Sequence, residues 1–336
     1  AAFTPTFQAA IPDILPDEER YTRALSLSRL AYDMESLVSP MLAAALLSVI
    51  GFHWLFGGTV VGFLGSAALV VSVVVPQPKP MKREGGIYAR TTRGARIYLK
   101  TPRLRGLLAL NLAAAAGGAM VIVNTVVYVR DVLSRSADDV AIALAFFGGG
   151  SMAAALCLPR VLERIGDRPV MVAAASLLTV ALAAMAVLAA TPGVDQWILL
   201  LAFWAVMGAA YSAVLTPSGR LLRRSATPED RSAVFAAQFA LSHACWLLTY
   251  TVAGGLGAAL GMSATLVALA LICLAGVVIG LKVWPARDPD QLAHTHTELP
   301  SDHPHLREGS RAGGRPEHVH AFVIDDLHHQ WPRMGV

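Results

Sequence analysis

Long stretches without a formal charge constrain this chain more than any other feature. Reading only Asp, Glu, Lys and Arg, the charge-free runs are 36–78, 106–129, 140–159, 169–194, 196–219 and 232–281. An apolar helix of about 20 residues crosses the roughly 30 Å hydrocarbon core of a bilayer. Four runs are one span long, and two are double length with a break near the middle. The breaks fall at Gly51-Phe52-His53-Trp54 and from Gly257 to Gly261-Met262-Ser263. The pattern predicts an all-α membrane protein with eight full spans, at 24–50, 54–75, 105–129, 139–160, 169–190, 196–219, 232–257 and 263–284. Residues 1–14 read as the end of a further span, which Pro12 and Pro16 stop.

Composition agrees. Charged residues make up 15% of the chain and the mean hydropathy is +0.55, whereas soluble domains carry about 25% charged residues. That excludes a soluble globular enzyme, a disordered protein and a nucleic-acid binder. Cys157, Cys245 and Cys273 all lie in apolar spans and read as small core residues rather than a disulfide framework. The basic pI of about 9.1 reflects orientation. Of the 22 Lys and Arg up to Lys282, 19 fall in the loops of one side. The positive-inside bias makes that side, with loops 76–104, 160–168, 220–231 and the C-terminus, cytoplasmic.

Two regions share a layout. Leu15-Pro-Asp-Glu-Glu-Arg20 precedes the first double-length run, and Thr227-Pro-Glu-Asp-Arg231 precedes the second. The basic loop lies between them. Parallel repeats of this kind mark transporters of two halves, which bind substrate near the midplane between the halves. Acids also suit any helix N-terminus, so each turn has a simpler reading as well. The expected divisions are a first half (1–78), a basic interdomain loop (79–103), a second half (104–284) and a tail (285–336).

Several motifs carry a resemblance. They are Pro5-Thr-Phe-Gln-Ala-Ala-Ile-Pro-Asp-Ile-Leu-Pro-Asp-Glu18, the element Ser39-Pro40-x-x-Ala43-Ala44, His53-Trp54-Leu55-Phe56, and Leu162-Glu-Arg-Ile-Gly166-Asp167-Arg168. In order and spacing they resemble the major facilitator superfamily (MFS), from the last part of its fourth helix to the C-terminus. The first resembles the fourth-helix exit of exporters in the group that includes macrolide and siderophore efflux pumps. The second resembles a degenerate Gly-Pro-x-x-Gly-Gly element of antiporters, and the last the Gly/Asp/Arg turn between the eighth and ninth helices. The resemblance implies an MFS fold with about 8.5 of 12 transmembrane helices present in two pseudo-symmetric halves. It also implies an N-terminal truncation, since the chain opens at Ala1 inside what reads as a helix. The departures are Ser39, Ala43 and Ala44 in place of glycines, and Glu35 four residues before Ser39, where the family pattern has glycine. Proton coupling is therefore implied by resemblance alone.

Ionisable groups inside spans are expensive and mark function by default. Arg29 and Asp33 are candidates for proton coupling or gating, and as i,i+4 neighbours they can instead neutralise each other as a structural ion pair. Glu35 lies on another face with Ser39, Pro40 and Ala43, where it would bind a proton or a cationic substrate, or form an interdomain bond. Span 232–257 carries two stripes, Phe239, His243, Trp246, Tyr250 and Gln238, Ser242, Cys245, Thr249. Both should face protein or a water-filled path. His243 is a candidate proton group there, or a packed residue bonded to a backbone carbonyl. Asn111, Asn124, Trp204 and Tyr211 complete the cavity candidates with Gln238, Trp246 and Tyr250. Aromatics and amides with few fixed charges suit an amphipathic organic substrate.

The tail is the most unusual segment. It holds eight of the ten histidines: His294, His296, His303, His305, His318, His320, His328 and His329. Neutral imidazole is the commonest ligand of borderline divalent metals, and three of these pairs have the form His-x-His. Some nickel-resistance exporters of this type also end in histidine-rich tails. The simpler reading is a solvated tail or a pH-sensitive lid. Residues 321–331 read as a short helix with Ile324, Leu327 and Trp331 on one side.

No Walker loop, His-Glu-x-x-His motif or nucleophile elbow occurs, so the expectation is a transporter and not an enzyme. The leading expectation is a monomeric proton-coupled exporter of small organic molecules in a bacterial inner membrane. It would have no cofactor beyond a divalent metal in the tail, and its partners would be lipid, substrate and protons. The alternatives are a Ni, Co or Zn exporter with the tail as chelator or sensor, and a membrane sensor or scaffold that keeps the fold without transporting.

Overall fold

A computed structural model describes residues 3–47, 49–72, 87–191, 195–289, 291–295 and 317–332. The elements are α1 (Phe3–Ile14), α2 (Glu18–Leu47), α3 (Phe52–Ser72), α4 (Ile87–Lys100), α5 (Pro102–Val127), α6 (Ala137–Arg164), α7 (Asp167–Ala189), α8 (Trp197–Leu215), α9 (Ser218–Arg224), α10 (Pro228–Leu260) and α11 (Met262–Val283). A π-helical turn, Tyr128–Val132, extends α5. Two strands follow, β1 (Gln291–Thr295) and β2 (Glu317–Ala321).

Local chemistry places the ends. Pro102 and Pro228 open α5 and α10 at positions where the missing N–H costs nothing. Ser136 and Asp139 close a reciprocal capping box on α6. Asp17 accepts from the Arg20 N–H at 2.9 Å at the start of α2. Gly261, at φ +82°, makes the single-residue corner between α10 and α11, which favours glycine. The helix ends thus fall within a few residues of the expected spans.

Among the described residues, seven helices are long and apolar enough to cross a membrane. They are α3, α5 with its π-turn, α6, α7, α8 with α9, α10 and α11. The remaining expected span lies in α2, whose 30 residues are long enough but carry Arg29, Asp33 and Glu35. The fold is thus an all-α membrane protein. Its core is α5, buried along most of its length by α11, α10, α7 and α8. Close helix approach drives the assembly, since lipid supplies no hydrophobic force between helices. On α6 and α8 the approach is reciprocal. A Cβ on Gly150 would meet the Ala205 carbonyl oxygen at 1.9 Å, and one on Gly208 the Phe147 oxygen at 1.9 Å.

The structure adds one feature to the sequence reading and corrects another. The basic segment contains helix α4, whose Ile97 and Tyr98 are buried, whose Arg96 is exposed and whose Arg93 meets two acids. Residues 321–331 are not a helix. Phe322 and Ile324 are both buried at a spacing of two, as extended chain requires, and Leu327 is exposed. β1 and β2 pair antiparallel, with His294 opposite His318 and Leu292 opposite His320.

Candidate functional site

Among the described residues, ion pairs of Arg93, Arg220 and Arg231 gather α4, α9 and the start of α10 with α1 and the start of α2 at one end of the bundle, here the basic end. Halfway along α2, Arg29 and Asp33 form an ion pair at 2.8 Å, both nearly buried. The pair is not confined to its helix. Ser151 on α6 donates to Asp33 Oδ2 at 2.5 Å and accepts from the Arg29 guanidinium at 3.4 Å. The Arg29 guanidinium also lies over the Tyr211 ring of α8, 4.8 Å from its centroid. Tyr211 continues to Trp246 (5.9 Å) and Trp246 to Tyr250 (5.1 Å), both on α10. A Cβ on Gly118 of α5 would meet the Trp246 ring at 2.3 Å, so the indole is seated where a side chain is missing. A charge pair is thus neutralised and roofed by aromatic faces, with no net charge left in the apolar interior.

Other candidates lie apart from that cluster. Trp204 is fully buried and donates to Thr125 Oγ1 at 2.9 Å. Asn124 donates to the Ala253 carbonyl at 3.3 Å. Asn111 is buried with neither end of its amide hydrogen-bonded to protein. Gln238 accepts from Tyr98 of α4. His243 is exposed, stacks on Phe239 and places Nδ1 2.7 Å from the Phe239 carbonyl of its own helix. Glu35 is exposed on α2. The side chains of Ser39, Pro40, Ala43 and Ala44 lie outside the described residues.

The basic end is tied by ions. Asp167, on the Gly166-Asp167-Arg168 turn, is buried and paired with Arg220 of α9 at 2.9 Å. The Arg220 guanidinium also reaches across to α2, to Glu18 at 2.7 Å and Thr22 Oγ1 at 2.6 Å. Arg223 donates to the Pro16 carbonyl, and Arg231 pairs with Asp13 of α1. Gly166 caps α7, and Arg168 donates to the Trp284 carbonyl at 3.0 Å. Sequence reading had marked both Pro–acid turns, but not that arginines of one stretch clamp the other. Ser151, Thr22 and Arg220 were missed, because a serine after three glycines or an arginine in a basic loop carries no signal of its own.

The tail docks at the same end. Arg93 of α4 bridges Asp230 of α10 and Asp326 of the tail, each at 2.6 Å. The two hydrogen-bonded carboxylates raise its already high pKa further, against the opposing effect of burial. Lys100 donates to the His329 carbonyl at 2.8 Å, and Arg103 lies over the Trp331 ring. Of the eight histidines, the structure gathers His294, His320 and His328. The His329 side chain is exposed, the His318 side chain is not among the described ones, and His296, His303 and His305 lie outside the described residues. His328 Nδ1 meets Asp325 Oδ1 at 2.8 Å. Burial would raise the Asp325 pKa, but the hydrogen bond from His328, with those from the backbone N–H groups of His328 and Leu327, outweighs it and holds it at about 2.

A family model described as Major Facilitator Superfamily matches the chain over residues 1–133 and 107–323. No curated protein matches it.

Proposed function

The chain belongs to the major facilitator superfamily of secondary transporters, and from that premise we propose that it exports small organic molecules by proton-linked alternating access. The observation that carries this reading is the Arg29–Asp33–Ser151–Tyr211 cluster. It joins α2, in the first expected half, to α6 and α8 in the second. Trp246 and Tyr250 continue it with flat apolar faces suited to an amphipathic substrate. Asp33 is the proton group in this scheme. Its protonation would release Arg29 and loosen the contact between halves, coupling charge to motion.

The basic end is cytoplasmic by the positive-inside rule. Arg220, bridging Glu18 and Thr22 to Asp167, supports reading this arrangement as a state closed on that side. Opening breaks the contacts to α2 and leaves Arg220–Asp167 intact, since both belong to the second half.

The test is growth of an efflux-deficient bacterium expressing the protein, against panels of drugs and of metal salts. Protection against amphipathic compounds, lost in Asp33→Asn, is the expected result. Protection confined to nickel, cobalt or zinc would replace the organic substrate with a metal, a reading that the three gathered imidazoles favour. Protection against neither, with the protein present in the membrane, would sink the transport reading.

A further inference from the structure

We propose that His294, His320 and His328 form a three-imidazole site for a divalent transition cation of the zinc, cobalt or nickel class, held on the tail hairpin. The proposal stands apart from the transport reading and does not depend on what crosses the membrane.

The first argument is assembly. One ring nitrogen from each of the three lies within 4.8 Å of the others, although the residues come from β1, from β2 and from the turn after it. His294 and His320 are diagonal neighbours on one face of the antiparallel pair, as the register with Leu292 and His318 dictates. His328 is buried and swings in beneath them, 2.9 Å from His294 between Nε2 atoms.

The second argument is which nitrogen carries hydrogen. His294 Nδ1 lies 3.1 Å from the Leu292 carbonyl, and His320 Nδ1 lies 2.8 Å from the Ala321 carbonyl. A carbonyl oxygen can only accept, so both Nδ1 atoms are donors. His328 Nδ1 meets the carboxylate of Asp325, which makes it a donor too. In neutral imidazoles each Nε2 then carries a lone pair. The Nε2 atoms of His294 and His328 approach to 2.9 Å, so the two rings point their second nitrogens at one position.

The third argument is the outer shell. Metal-bound histidines almost always donate their second nitrogen to a carboxylate or backbone carbonyl, which fixes tautomer and ring angle. All three rings do so here. Asp325 is itself fixed, because it also accepts from the backbone N–H groups of Leu327 and His328 at 2.8 and 2.7 Å. Metal–nitrogen bonds of about 2.0 Å place tetrahedral ligands about 3.3 Å apart. The His294–His328 pair needs a few tenths of an ångström of opening, and the widest of the three separations, at most 4.8 Å, needs up to about 1.5 Å of closing. Three imidazole nitrogens suit borderline cations rather than Mg or Ca.

A bound ion would join both strands to the turn that carries Asp326 and His329. Those two residues fasten to Arg93 and Lys100 of α4.

The test uses the whole protein in detergent, titrated with Co2+ and followed by visible absorption, then loaded with zinc for X-ray absorption. Wild type is expected to take one cobalt with the intense absorption of a four-coordinate ion. The zinc spectrum should report three imidazoles at about 2.0 Å. The triple variant H294A/H320A/H328A should bind at least about 100-fold more weakly, while H296A/H303A/H305A keeps wild-type affinity. Asp325→Asn, which retains every ligand, should weaken binding about 10- to 100-fold. Two or fewer imidazoles in the wild-type spectrum would overturn the proposal. So would loss of binding in the second triple variant, or no cobalt bound at all.

Discussion

Thr22→Val is the sharpest perturbation available at the basic end. Thr22 is 3% exposed, and its Oγ1 accepts from Arg220 Nη1 at 2.6 Å. The same hydroxyl donates to the Glu18 carbonyl within α2 at 2.7 Å. That second bond is present whether the halves are together or apart, so its loss cancels from the conformational equilibrium. The bond to Arg220 crosses between halves and does not cancel. Hydrogen bonds to a charged group contribute about 1.5–3 kcal/mol. Valine keeps the volume and removes the acceptor, so the equilibrium should move toward opening of the basic end by about 10- to 150-fold. Glu18→Gln is the comparison. Glu18 is 61% exposed, so its pair with Arg220 is solvent-screened and should shift the equilibrium by no more than about fivefold. The assay is the distance distribution between spin labels on the basic ends of α2 and α10. A Thr22→Val shift no larger than that of Glu18→Gln, or a shift toward closure, would refute the reasoning. A thermal melt checks that the fold survives.

Three further outcomes follow from individual contacts. Gly208→Leu should lower stability by at least about 1–3 kcal/mol, because even its Cβ would stand 1.9 Å from the Phe147 carbonyl oxygen and must push α6 from α8. A fluorescence melt in detergent reads this, and an unchanged midpoint contradicts it. Trp204→Phe loses the bond to Thr125 and should cost about 1 kcal/mol in the same melt. Arg93→Ala leaves the Asp230 carboxylate buried without its guanidinium, at a cost of about 3–5 kcal/mol locally. It also cuts the tail's anchor through Asp326. Limited proteolysis should then cleave the tail faster than in wild type, and an unchanged rate would mean that docking rests elsewhere.

The spans were legible because their signal is local. Absence of charge over 20 residues needs no knowledge of neighbours, and the corners at Gly51 and Gly261 announce themselves by composition. α4 was hidden for the opposite reason. Its arginines make it read as a loop, and the burial of Ile97 and Tyr98 depends on contact with α5 and α10 that no local pattern encodes. The Arg29–Asp33 pair was readable from i,i+4 spacing, but Ser151, 118 residues beyond Asp33, was not. The tail histidines were conspicuous as a group. Which three meet depends on pairing Leu292 with His320 across more than 20 intervening residues, and sequence spacing does not set such a register. The helix expected at 321–331 gave way because burying Phe322 and Ile324 beside the hairpin outweighs the weak helical stripe of Ile324, Leu327 and Trp331.

Proton movement in inverted membrane vesicles tests the central claim most directly. A gradient is built by respiration and monitored by quenching of a pH-sensitive dye, and a compound against which the protein protects is then added. The account predicts recovery of fluorescence as protons leave in exchange for the compound, in wild-type vesicles and not in Asp33→Asn vesicles. Compound uptake with no proton movement, or recovery undiminished in Asp33→Asn, would contradict it.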